Sequence, residues 1–151
     1  MIDLDGIDPA LQAGVTALAT EMRAQGYQRS DPVREIPALL GDRWTTLILL
    51  VLDIGCWRHA ELRRVLGRLG AEGRISQRVL TLKLRTLERD GLVRRLSTAD
   101  VPPRVSYELT ALGGSLVREA RRLIDWVQAN AAPIQAAREA FDRQRTPSAR
   151  T

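Results

Sequence analysis

The stretch from Ser76 to Gly91 constrains this chain more than any other part of it. Serine is a favoured helix N-cap, because its hydroxyl can accept from a backbone N–H two or three residues on. Leu80, Leu84 and Leu87 follow at helical spacing, and at 100° per residue they fall within about 60° of one another. The other side carries Arg78, Leu82 and Arg85, flanked by Thr81, with Gln77 near the start. Gly91 then supplies a C-terminal stop. A helix of this kind leans its leucines on a core and turns its arginines toward a partner.

The flanking segments predict the rest of the fold. After Gly91, residues 92–96 and 105–109 read as two strands around a turn at 97–104. Val93 and Arg94 fall on opposite faces, as a half-exposed strand requires. Pro102 and Pro103 preclude regular pairing at the tip. Upstream, residues 42–53 form a strongly apolar helix, with Asp42 as its cap, Trp44, Leu47, Ile48, Val51 and Leu52 on its broad buried face, and Gly55 after it. Residues 56–58 suggest a brief strand. Residues 59–66 predict a short helix with Leu62, Val65 and Leu66 inward, and the glycine-rich stretch 67–73 predicts a loop. Near the start, Asp8 and Pro9 open a helix reaching Gly26, with Leu11, Val15, Leu18 and Met22 on one face. A second helix could begin at Asp31-Pro32 and be broken by Pro37, or begin near Ile36 with Pro37 in its first turn. Thr110 caps a last long helix, with an interruption expected at Gly113-Gly114 and a break or kink at Pro133. A further helical stretch reaches about Phe141. Residues 146–151 are expected to be a disordered tail.

Composition narrows the function classes. Hydrophobic residues make up 44% and charged residues 27%, ordinary for a globular chain and unlike a disordered one. The formal net charge of +5 favours a polyanionic partner, since cations that neutralise phosphates release condensed counterions. Lys83 is the sole lysine. Arginine offers a planar fork that suits phosphates and guanine edges, although coding bias toward arginine gives the same composition. Cys56 is the sole cysteine and His59 the sole histidine. An intrachain disulfide, a cysteine-built metal site and a multi-histidine metal site are thereby excluded. No phosphate-binding glycine loop or acid–base pair stands out, so neither an enzyme nor a cofactor is expected. No leader and no apolar run of about 18 residues occurs, which predicts a cytoplasmic protein with no membrane partner.

The order helix, short strand, helix, polar-faced helix, strand, turn, strand is that of a winged helix-turn-helix. The expected class is mainly α with a small β-hairpin wing, an α+β fold with additional N- and C-terminal helices. Four segments also resemble one family: Gly41-Asp42-Arg43-Trp44-Thr45-Thr46-Leu47-Ile48-Leu49; Arg58-His59-Ala60-Glu61-Leu62-Arg63-Arg64; Leu84-Arg85-Thr86-Leu87-Glu88-Arg89-Asp90-Gly91-Leu92-Val93; and Val101-Pro102-Pro103-Arg104-Val105-Ser106-Tyr107-Glu108-Leu109-Thr110. In this order, over residues 31–126, they resemble the HxlR family of regulators. That resemblance implies a homodimeric winged-helix transcription factor on double-stranded DNA, with helices outside the winged core forming the dimer. It thus implies a dimerisation extension over residues 1–29, a DNA-binding domain over 30–112 and dimerisation helices over 113–145. The chain departs from the family pattern in four places. Asp31 stands where many members have a redox-sensing cysteine, which excludes thiol sensing there. The loop 67–74 is longer than usual. Leu82 occupies a groove-face position that is usually polar, and the N-terminal helix is a longer extension than in most members.

The residues expected to touch DNA are Ser76, Gln77, Arg78, Thr81, Leu82 and Arg85 on the polar-faced helix, Arg63 and Arg64 on the helix before it, and Arg104 at the wing tip. A solvated helix face is the competing reading for the arginines, with Glu88 or Asp90 as their ion-pair partners. Leu82 either touches a thymine methyl or packs internally. Cys56 reads as a small half-buried residue at a strand end. Trp44, Trp57 and Trp126 read as core or interface rather than as an effector pocket, and no motif specifies an effector. His59, at a position that is usually aromatic in the family, is expected to pack.

Overall fold

A computed structural model describes residues 3–26, 28–71 and 73–145. The expected tail at 146–151 lies outside the described residues. Among the described residues, six helices and three strands follow one another as α1 (Pro9–Gln25), α2 (Pro32–Leu40), α3 (Arg43–Leu52), β1 (Trp57–Arg58), α4 (His59–Leu69), α5 (Gln77–Arg89), β2 (Val93–Ser97), β3 (Val105–Leu109) and α6 (Ala111–Arg145). The chain divides into two compact units, one ending at Thr46 and one beginning at Leu47, so the division falls inside α3.

In the first unit, α1 starts as expected. Pro9 occupies the first turn and the Asp8 carboxylate accepts from Ala10 N at 2.9 Å. Of the two starts open for α2, the structure has the earlier one, with Pro32 in the first turn and Pro37 inside the helix. Pro37 removes one backbone donor, yet the helix runs on to Leu40, and Gly41 closes it by donating to Pro37 O at 3.2 Å. Asp42 caps α3 by accepting from Thr45 N at 2.9 Å and from Thr45 Oγ1 at 2.7 Å. The Asp31 carboxylate accepts from Gln28 N at 2.6 Å, which gives it a local structural task.

The second unit holds the core. Ile48, Leu49, Val51 and Leu52 of α3, Leu62 and Leu66 of α4, Leu80, Leu84 and Leu87 of α5, Tyr107 of β3, and Val117 and Ala120 of α6 are all buried. The wing is wider than a hairpin. The strand order is β1-β3-β2, antiparallel throughout, with Trp57 opposite Tyr107 and Val93 opposite Leu109. β1 is anchored because the Trp57 indole Nε1 donates to Val51 O at 2.9 Å.

Three expectations are corrected. First, α4 extends to Leu69, with Gly67 inside it and Gly70 as its cap. A helical glycine costs only about 1 kcal/mol relative to alanine, so Gly67 does not end the helix. Second, α6 is one continuous helix through Gly113 and Gly114 and through Pro133. Gly113 is required because α6 crosses the end of the wing closely: a Cβ there would sit on the Leu92 carbonyl oxygen and 2.9 Å from its carbon. Pro133 removes one helical hydrogen bond without ending the helix. Third, Cys56 is exposed rather than half-buried. Thr110 caps α6 as expected, its Oγ1 accepting from Gly113 N at 3.0 Å and donating to Gly91 O at 2.6 Å.

Candidate nucleic-acid interface

α5 is built as its sequence dictates. The Ser76 hydroxyl accepts from Val79 N at 3.1 Å, a cap typically worth about 1 kcal/mol. Leu80, Leu84 and Leu87 are fully buried, whereas Ser76, Gln77, Arg78 and Arg85 are exposed. Leu82 is 51% exposed beside a 38%-exposed Val79, which settles that Leu82 does not pack internally. At the other end the chain turns at Gly91, whose φ of +72° lies in the left-handed region that glycine enters without strain.

The ion-pair readings resolve locally. Asp90 pairs with its neighbour Arg89 at 3.4 Å. Among the described residues, neither Arg78 nor Arg85 is paired with a carboxylate. An exposed, unneutralised arginine face is what a phosphate-lined groove can compensate.

α4 is tied to α5 at two points. Thr81 Oγ1 donates to Gln77 O at 2.8 Å and lies 3.1 Å from His59 Nε2. With the hydroxyl proton so committed, His59 Nε2–H is the donor in that second bond. Thr81 is therefore half-buried and engaged within the protein. The His59 ring also sits at 6.2 Å from the Tyr107 ring, tilted by 57°, so His59 packs as expected and joins α4, α5 and β3. Burial, and secondarily the nearby Arg63 guanidinium, hold its pKa below 6.5. Arg63 Nε donates to Ile75 O at 3.0 Å, just before the Ser76 cap. Arg64 is exposed on the same helix.

The wing has its own arginines. Arg104 N donates to Thr98 Oγ1 at 2.9 Å, and Arg104 O accepts from Thr98 N at 3.0 Å. These two bonds close the tip and leave the Arg104 side chain exposed. Arg94 is held by Glu108 at 3.0 Å. Arg95 and Arg58 are exposed on the sheet and, among the described residues, unpaired. Neither was singled out by the sequence: strand alternation puts Arg95 on the face of the buried Val93, and its exposure departs from that alternation.

A short three-stranded wing beside a helix with a buried leucine face and an open arginine face defines a winged helix-turn-helix. The chain matches the HxlR-like helix-turn-helix family over residues 39–135. It is 35% identical over 108 residues to the HTH-type transcriptional regulator YtfH of Escherichia coli, an alignment covering 72% of this chain and 81% of that one. Among solved structures, YtfH from Salmonella typhimurium superposes with a TM-score of 0.59 at 35% identity, covering 75% of this chain and 96% of that one. The reduced form of the redox regulator HypR superposes with a TM-score of 0.58 at 32% identity, covering 70% and 98%. The protein belongs to the HxlR family of winged-helix transcriptional regulators.

Proposed function

We propose that this regulator binds duplex DNA as a homodimer, each subunit laying α5 in a major groove about 12 Å wide. Residues 30–112 form the DNA-binding part in this reading. Arg78 and Arg85 contact bases or phosphates. Ser76 and Gln77 reach the groove from the helix start, where a helix offers free N–H groups to phosphate. Leu82 meets a thymine methyl. Thr81, whose proton is held by Gln77 O, contributes an acceptor or positions the helix. Arg63 and Arg64 face the backbone, and Arg104 carries the wing to a phosphate or the adjacent minor groove. The observation that carries this reading is the exposed, unneutralised arginine face of α5 backed by three fully buried leucines.

Dimerisation is assigned to residues 1–29 and 113–145. α1 exposes Leu11, Leu18 and Met22, and α6 exposes Leu123, Trp126, Val127 and Phe141. Apolar stripes of this kind are expected to be covered in the functional assembly. Two identical subunits then present two α5 helices to a pseudo-palindromic site, with half-site centres one helical turn or a multiple apart. The reading places the protein in the cytoplasm, and no described helix is long and apolar enough to cross a membrane.

The test is a titration of duplexes from the promoter next to its own gene at fixed salt. Arg78→Ala or Arg85→Ala should weaken operator binding by about 1–3 kcal/mol. Unchanged affinity removes that arginine from the interface. The exposed Val79–Leu82 pair favours one second reading, a winged-helix module that docks a protein instead. Wild-type protein indifferent to every duplex would select it.

A further inference from the structure

Beside α5 lies a cleft of about 660 Å³ whose charged walls are all arginine: Arg63, Arg64 and Arg68 from α4, and Arg74 from the segment leading into α5. Ala60 and Gly67 keep its helical side low. The connecting segment runs directly along α4, since a Cβ on Gly67 would lie 3.8 Å from Arg74 Cα. The bond from Arg63 Nε to Ile75 O at 3.0 Å fastens that segment to the helix. The cleft is thereby held at a set place relative to the Ser76 cap, one residue further on.

Four guanidinium groups around one hollow repel one another, and each remains charged at any physiological pH. No carboxylate lines the cleft among the described residues, and none pairs with Arg64, Arg68 or Arg74. Glu61 borders an adjoining hollow that Arg64 and Arg68 also line, and it pairs with neither. Such an arrangement is stabilised by an anion carrying several negative oxygens, which the planar arginine forks can grip in pairs.

We infer that this cleft seats backbone phosphates of the DNA next to the groove that α5 enters, so that Arg68 and Arg74 belong to the interface. The inference rests on the DNA-binding reading above and extends its footprint along the strand. Several arginines around one hollow suit a strand that presents a phosphate about every 3.4 Å of helix axis, since more than one backbone oxygen can be met there. These contacts follow the backbone and carry no base information, so they add affinity without sequence choice.

The experiment measures affinity against salt for the full-length protein on an operator duplex with flanks. The Arg68→Ala/Arg74→Ala double variant should lower the slope of log K against log salt by about 0.9 for each phosphate lost. The ratio of operator to random-duplex affinity should stay as in wild type. Arg68→Lys/Arg74→Lys should restore most of the slope, because the charges return. Trimming the flanks should cost wild type the same increment and leave the alanine variant unchanged. Equal melting temperatures establish that both variants fold, and trimming the flanks from the wild-type complex carries the comparison if the alanine pair does not, a slope unchanged by trimming then overturning the cleft. Wild type binding its operator with a slope that the alanine substitutions do not alter overturns the cleft and leaves the α5 reading standing. Wild type that binds no duplex overturns both. Saturable uptake of inorganic phosphate by DNA-free protein, lost in the double variant while the slope is unchanged, assigns the cleft to a free anion and overturns the backbone seat.

Discussion

Gly113 and Gly114 are adjacent in sequence, and their surroundings make opposite demands. Gly113 faces the Leu92 carbonyl with no room for a Cβ, whereas nothing lies within 4 Å of a Cβ on Gly114. Gly113→Ala forces the start of α6 away from Leu92, the residue before β2, and should destabilise the fold by about 3 kcal/mol, at the upper end for overpacking. Gly114→Ala should stabilise it by about 0.5–1 kcal/mol, because alanine loses less backbone freedom in a helix. Urea denaturation of the two variants checks both signs. Read from the sequence, the pair looked like one interruption, because periodicity shows that a side chain is missing and not what stands in its place. Cys56 illustrates the same limit: its exposure depends on how the chain passes from α3 to β1. The arginines of α5 were legible in advance, since which side of a helix they share is set by spacing alone.

At the scale of elements, the chief device is the pair of ties from α4, one to α5 through His59 and Thr81 and one to the segment leading into α5 through Arg63 and Ile75. The first is sensitive to pH. Burial and Arg63 disfavour the charged imidazole in the folded protein, so the unfolded chain takes up the proton first as pH falls. The stability that neutral His59 contributes is complete above its ordinary pKa of 6.5 and is lost as pH falls below that value. Thermal midpoints recorded from pH 7.5 to pH 5 should decline below 6.5, and His59→Gln should flatten that part of the curve. An identical decline in both proteins would remove His59 as its source. The strand and helix order, the caps at Asp8, Asp42, Ser76 and Thr110, and the buried face of α5 were readable locally, whereas in α3 the buried Leu49 and Thr45 were not foreseen and Trp44 and Leu47 are only half-buried. The ends of α4 and the continuity of α6 were not. Glycine and proline cost a helix only a few kcal/mol at most, so neither by itself dictates where a helix ends.

For the whole molecule, the exposed apolar residues of α1 and α6 set the expectation. Light scattering at micromolar concentration should give twice the 16.8 kDa chain mass, and Trp126→Glu should shift it toward the monomer by placing a charge in the stripe. A monomer mass for the wild type would remove the dimer from the proposed function. The family and its winged architecture were legible from four ordered motifs, and so was the division into an inward leucine face and an outward arginine face on α5. The two faces of α5 repeat at the 3.6-residue period and need no knowledge of distant residues. Tertiary structure alone decided that β1 joins β3, that Gly113 lies under the Leu92 carbonyl, and that the segment before α5 folds back along α4 to gather four arginines. Each of these depends on where the chain returns after a turn, which is set by packing between segments remote in sequence and leaves no local period to read.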